Sequence, residues 1–208
     1  ASNDWRLPSG AAAACGTAPP KPAPPAPPAC GNQTPIDATQ FSYMKAATPI
    51  KGACTEAELV AVTKYFNLRG KSAPDLETFF EGWHHSVSAA CDRCIFTDTT
   101  ATPVEWRPIS VDANGYTEIN RGGCVEQLTH DAVCAEKVSQ RDRCMLQACE
   151  SCWEDAKTCF EDPTVRATAC KDAVEAADQA CGATKLKAYD VKCGNDWKAP
   201  IRRACITG

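Results

Sequence analysis

Two Cys-x-x-Cys pairs, Cys91-Asp92-Arg93-Cys94 and Cys149-Glu150-Ser151-Cys152, are the residues whose type and spacing come nearest to chemical machinery. The spacing suits covalent haem attachment, a dithiol redox centre or zinc ligation. Haem attachment needs a His directly after the second cysteine, and Ile95 and Trp153 stand there instead. A thioredoxin-like pair needs a strand–turn–helix setting in an α/β fold, and the chain shows no βαβ alternation. Zinc would take both pairs as thiolates, which conflicts with an oxidising compartment. Each of these cysteines is therefore expected to form a disulfide with a partner on another element.

The three histidines, His84, His85 and His130, are the candidate metal ligands. Neighbours on a helix point about 100° apart, so one ion would take His84 or His85 and add His130 or a carboxylate. The alternative is one ring packed beside Trp83 and the other in solvent. Glu77, Glu81, Asp92, Asp98, Glu126 and Asp131 could supply a hydrolase pair, although the sequence sets no distance between any two. No nucleophile-elbow, zinc-protease or phosphate-loop pattern occurs. The sequence thus assigns no catalytic residue and implies no cofactor.

Fifteen cysteines run through the 208 residues: Cys15, Cys30, Cys54, Cys91, Cys94, Cys124, Cys134, Cys144, Cys149, Cys152, Cys159, Cys170, Cys181, Cys193 and Cys205. Such density belongs to an oxidising compartment. A chain this long buries about 70% of its unfolded surface without help. The bridges are reinforcement, each adding about 2–4 kcal/mol. The odd count leaves one thiol free or paired with a second chain, and connectivity cannot be deduced, since even eight cysteines allow about 105 pairings. A net charge of −4 and no basic block argue against nucleic acid or an anionic membrane as partner. No apolar run reaches the roughly 20 residues of a transmembrane helix. Ala1 follows neither Met nor an apolar leader, so the chain reads as a mature product located outside the cell, at its surface or in a periplasm. A lipid anchor on a preceding cysteine stays open.

The elements that position these residues divide at about residue 33. Residues 1–33 form a Pro/Ala-rich arm, whose 18–29 run should be extended polyproline II. Trp5, Pro24 and Pro25 on that arm are the candidate contacts to a protein partner or to a second copy. Residues 34–208 read as one mainly α-helical, disulfide-stapled domain with a small β-hairpin. Thr55-Glu56-Ala57-Glu58 is a capping box opening a helix with Leu59, Val60, Val62, Tyr65 and Phe66 at helical spacing. A second helix should run from Ser72 toward Cys91, and a hairpin near 104–119 should close at Asn114-Gly115. Three helices are expected near 128–160, 163–181 and 184–205.

Cys134–Cys144 and Cys149–Cys159 share a ten-residue spacing seen in small helical hairpins, but Met145-Leu146-Gln147-Ala148 between them holds no turn residue. One continuous helix fits better. On it, Cys134, Cys144, Cys149, Cys152 and Cys159 span an arc of about 140° and face a common neighbour. Cys159, Cys170, Cys181, Cys193 and Cys205 recur every 11 or 12 residues, so each helix could be stapled near both ends.

Several pieces read together carry a resemblance: Cys91-x-x-Cys94-Ile95-Phe96-Thr97, Trp106-Arg107-Pro108-Ile109, Asn120-Arg121-Gly122-Gly123-Cys124, then Gln147-Ala148-Cys149-x-x-Cys152 and the cysteines after it. Over roughly residues 85–205 the chain resembles a group of uncharacterised cysteine-rich exported proteins and lipoproteins of myxobacterial type. The resemblance implies export and disulfides and transfers no catalytic residue. The expected function is an exported non-enzymatic structural or binding protein, a subunit of a surface or extracellular assembly joined through the arm. A metal or small-ligand carrier and an extracellular polymer hydrolase are the alternatives.

Overall fold

The computed structural model describes residues 31–66, 82, 84–111, 117–194 and 197–207. The proline arm, most of the helix expected from Ser72 and the Asn114-Gly115 turn lie outside the described residues. What is described is mainly helical, with one two-stranded hairpin and six disulfides between described cysteines.

Helix α1 (Glu56–Phe66) starts where the capping box places it. The Thr55 N–H and hydroxyl donate to Glu58 Oε2, each at 2.8 Å, and the Glu58 N–H returns to the Thr55 hydroxyl at 3.2 Å. Two donors left open by a helix start are thereby satisfied. Leu59 and Val62 point into the core and Val60 into solvent. The expected run into Cys91 is not continuous. Ser88 is extended and caps a separate helix α2 (Ala89–Ile95), its hydroxyl accepting from the Cys91 N–H at 3.3 Å. A serine that offers its own oxygen to the next helix start ends the preceding one.

Strands β1 (Ile109–Val111) and β2 (Thr117–Ile119) pair antiparallel, Ile109 opposite Ile119. The hairpin exists as expected, but the ladder begins at 109 rather than 104. Pro108 has no N–H to continue it; its carbonyl accepts from the Asn120 N–H at 2.9 Å. Trp106 instead bridges Ala46 in parallel.

The helix expected over 128–160 is corrected at both ends. Helix α3 (Arg121–Thr129) stops at His130, which is left-handed at φ 56°, and Asp131 caps α4 (Ala132–Ala148) by accepting from the Cys134 N–H at 3.0 Å. The helix formers Met145–Ala148 are all helical, and α4 ends directly after them. The Cys149–Cys159 bridge folds the chain back there, and the Ala148 carbonyl accepts from the Asn32 N–H at 2.7 Å. Covalent closure and an incoming chain segment stop the helix short of the expected 160. A 3₁₀ stretch (Glu150–Asp155), α5 (Ala156–Glu161) and α6 (Pro163–Ala167) follow.

The expected 163–181 helix is interrupted before α7 (Lys171–Cys181), because Cys170 is pulled toward Cys144. Gly182, at φ 77°, separates α7 from α8 (Ala183–Cys193). Helix α8 ends at Gly194 instead of reaching 205, and α9 (Lys198–Ile201) leads into a π-turn over Arg202–Thr207.

Cys54–Cys91 is a separate tie, while the other five bridges are nested. Cys149–Cys159 lies inside Cys144–Cys170, then Cys134–Cys181, Cys124–Cys193 and Cys94–Cys205. Helices α4 and α7 consequently run antiparallel, cross-linked near both ends. Ten residues separate the two cysteines on α4 and eleven those on the α7 side, about 15 and 16.5 Å of helix. The stapling expected from the rhythm is present on α7. The common neighbour expected for five cysteines exists only for Cys134 and Cys144. Gly122 lets α3 lie directly on α4, since a Cβ there would sit 2.6 Å from the Ala135 carbonyl oxygen.

Candidate functional site

A cleft of about 1070 Å³ opens between the hairpin side of the molecule and the α4–α8 side. Arg141, Asp142, Met145 and Leu146 enter it from two successive turns of α4, a spacing that keeps them on one helix face. Glu118 and Ile119 of β2, Trp197, Phe160 and Arg166 also line it. Arg121 and Asp190 complete the floor.

The floor is a charge quartet. Arg121 Nη2 lies 2.6 Å from Asp190 Oδ1, and Arg121 Nη1 lies 3.3 Å from Asp142 Oδ2. Arg141 donates through Nε to Asp142 Oδ1 at 2.9 Å and through Nη2 to Asp190 Oδ1 at 3.0 Å. Arg121 and Cys124 are three residues apart on α3, as are Asp190 and Cys193 on α8. The same two helix faces are therefore joined by an ion pair and by the Cys124–Cys193 bridge.

Arg141 is 3% exposed. Burial works to lower its pKa, but Asp142 and Asp190 outweigh that and raise it above the ordinary value, so the guanidinium stays charged. Glu118 behaves oppositely: burial pushes its carboxyl up to about 7, Arg143 pulls it down and Asp142 adds to the rise. Arg143 Nε is 3.6 Å away from Glu118 Oε1, too far for a firm hydrogen bond. Arg121 Nε, Arg141 Nη1 and Asp142 Oδ2 are buried without a hydrogen bond. Buried polar atoms are normally satisfied, so three orphans on one floor mark it out. Chemically the cleft holds covered donors and acceptors just beneath its surface and one carboxyl that exchanges its proton near neutrality, beside apolar lining.

The residues singled out from the sequence are elsewhere. His84 Nδ1 pairs with Asp92 Oδ1 at 2.6 Å and meets the Phe96 ring edge-on at 5.0 Å. His85 and His130 are exposed. Among the described residues no three His, Cys, Asp or Glu side chains group to hold an ion. Asp98 accepts from the Thr100 N–H and hydroxyl, Asp131 caps α4, and Glu126 accepts from the Tyr43 hydroxyl at 2.5 Å. Each has a local structural task, and none of them lines the cleft. Glu77, Glu81, Trp5, Pro24, Pro25, Cys15 and Cys30 lie outside the described residues.

Cys91 and Cys94 pair with Cys54 and Cys205 on other elements, as expected. Every cysteine among the described residues, Cys152 included, is disulfide-bonded. Glu118, Arg121, Arg141, Asp142 and Asp190 escaped the sequence reading. A signal was present: Arg141 stands one turn before Cys144, on a face that must be buried if that cysteine is bridged. Protein-family models, characterised proteins and solved structures yield no match to this chain, so the cleft's own chemistry carries the functional reading.

Proposed function

We propose that this protein is a non-enzymatic binding module, exported to the outside or surface of the cell, and that its cleft is the binding site. One observation carries the reading. A cavity of about 1070 Å³, above the usual range for small-molecule pockets, has walls clamped by nested disulfides and a polar floor with unsatisfied buried atoms. Preorganised walls lower the ordering cost of binding. The bridges belong to an oxidising compartment, and the resemblance to exported cysteine-rich proteins points the same way. Thermal unfolding of the natural chain and of Leu146→Arg, each against chemically grouped small ligands, tests the reading. At least one class should stabilise the natural chain, by about 2.7 kcal/mol at a hundredfold excess over Kd, and leave the variant unmoved. If no class does, the proposal fails.

Membership of a surface or extracellular assembly, through the arm that carries Trp5, Pro24 and Pro25, is the broader form of the proposal. Native mass beside non-reducing electrophoresis tests it, and a strictly monomeric chain counts against it. A hydrolase acting on extracellular polymer is the second reading, favoured by Glu118, whose raised carboxyl lies beside the cleft's Asp142. Turnover of a polymer by the natural chain, lost in Glu118→Gln, would replace the binding reading with this one.

A further inference from the structure

The geometry points to a neutral polyhydroxylated ligand, a segment of uncharged oligosaccharide, as the occupant of the cleft; this rests on the binding reading above. The orphaned floor atoms are of both kinds. Arg121 Nε and Arg141 Nη1 are donors, and Asp142 Oδ2, ion-paired with Arg121 Nη1 but accepting no hydrogen bond, is an acceptor. A hydroxyl group donates one hydrogen bond and accepts two, so a polyol answers both kinds at once. An anion answers only the donors, and a cation only the acceptor.

The charge balance agrees. Arg121 and Arg141 are matched by Asp142 and Asp190, so the floor holds no surplus to attract an ion. A carboxylate or phosphate would lie against two carboxylates already in place, and an ammonium against two guanidinium groups. The rest of the lining completes the fit. Trp197, Phe160 and Ile119 present apolar surface that suits the C–H face of a sugar ring, leaving its hydroxyls for the floor. The volume suits an oligomer segment better than a single small ring. The three orphan atoms are themselves covered, so engagement includes a rotation of floor side chains. Arg141 is the anchor because it is deeply buried and already oriented by Asp142 and Asp190.

Calorimetric titration of the oxidised full chain tests this with neutral glucan and mannan oligomers, a uronate oligomer, a chitosan oligomer and decanoate as a non-saccharide amphiphile. A neutral oligomer should bind about tenfold or more tightly than either charged saccharide, and Arg141→Lys should weaken it about tenfold. Should Arg141→Lys fail to fold, Val191→Arg serves in its place. Val191 is 82% exposed on the cleft lining, so the change spares the core and hangs a charged chain over the opening. Neutral saccharide affinity unmoved in the folded variants puts the site elsewhere and overturns the inference. Preferential binding of the uronate, chitosan or decanoate, lost in Val191→Arg, overturns the saccharide assignment and leaves the binding module standing. Binding by none of them overturns the saccharide assignment; the broader ligand survey with Leu146→Arg then decides whether the binding module falls with it.

Discussion

The interior around α1, α2 and the hairpin and the interior among α3, α4, α7 and α8 are both bridged, yet they are filled differently. In the first, Leu59, Val62, Ile95, Ile109 and Ile201 are all buried to 1% exposure or less beside Cys54, Cys91, Cys94 and Cys205. In the second, Ala135 and Ala177 are buried alongside Val125, Val138 and Leu186, with Cys124, Cys134, Cys181 and Cys193 in the same cluster. Alanine and Gly122 allow close helix approach but bury little apolar area per residue. The first interior buries five branched aliphatics, three of them isoleucines, where the second buries two valines and a leucine among its alanines. Two bridges cross each interior over short gaps, Cys54 and Cys91 Cα atoms lying 4.5 Å apart in the first and Cys134 and Cys181 4.8 Å apart in the second, so covalent ties make up a larger share of what holds the second. The cleft runs along the seam, taking Ile119 and Trp197 from one side and Arg141 and Met145 from the other.

The largest test of this contrast removes bridges in pairs. With the inner bridges intact, Cys94–Cys205 closes a loop made of the 30 residues from Cys94 to Cys124 and the 12 from Cys193 to Cys205. Changing both cysteines to Ala should cost about 4 kcal/mol, against about 3 kcal/mol for Cys149 and Cys159. Urea unfolding of the two double variants decides, and equal losses would contradict the nested order. Next, the two interiors should fail in opposite ways. Ile109→Ala should cost about 3 kcal/mol through the cavity it leaves. Gly122→Ala, a gain of one methyl group, should cost about 2 kcal/mol because its Cβ meets the Ala135 carbonyl. A Gly122→Ala chain as stable as the natural one would show that the second interior has slack.

Glu118 probes the seam. Its folded carboxyl titrates near 7, above the ordinary 4.5, so the fold binds a proton that the unfolded chain has released. The stability from that proton is fully present below about pH 4.5 and lost as the pH rises through about 7. Glu118→Gln cannot ionise and should be more stable than the natural chain by about 2 kcal/mol at high pH, with no advantage in acid. Unfolding curves at either end of that window check the sign. Smallest are the caps: Thr55→Ala on one side and Asp131→Ala on the other should each cost about 1 kcal/mol. Equal values would show that helix starts are local affairs, indifferent to what fills the interior behind them.

These contrasts also explain what could be read from residues alone. The capping box, the hairpin and the breaks at Pro163 and Gly182 were legible because each is encoded within a few residues. The end of α4 was not. Met145-Leu146-Gln147-Ala148 favours a helix, and what stops it is a bond from Cys149 to Cys159 and a carbonyl taken by Asn32. The spacing of the cysteines showed stapled helices but left the partners open, because spacing along one helix says nothing about its neighbour. The cleft was illegible for the same reason. Arg121, Arg141 and Asp190 come from three helices and meet only after the bridges have brought those helices together.

The concentric order of the five bridges bears on how the chain matures. Cys149 and Cys159 are near neighbours at synthesis, and joining them brings Cys144 and Cys170 within a short span of each other. Each closure prepares the one outside it, so oxidation can progress like a fastener drawn from its closed end. Among the bridges between described cysteines, none crosses another. Among the bridges between described cysteines, Cys94 waits longest, since its partner comes 111 residues later.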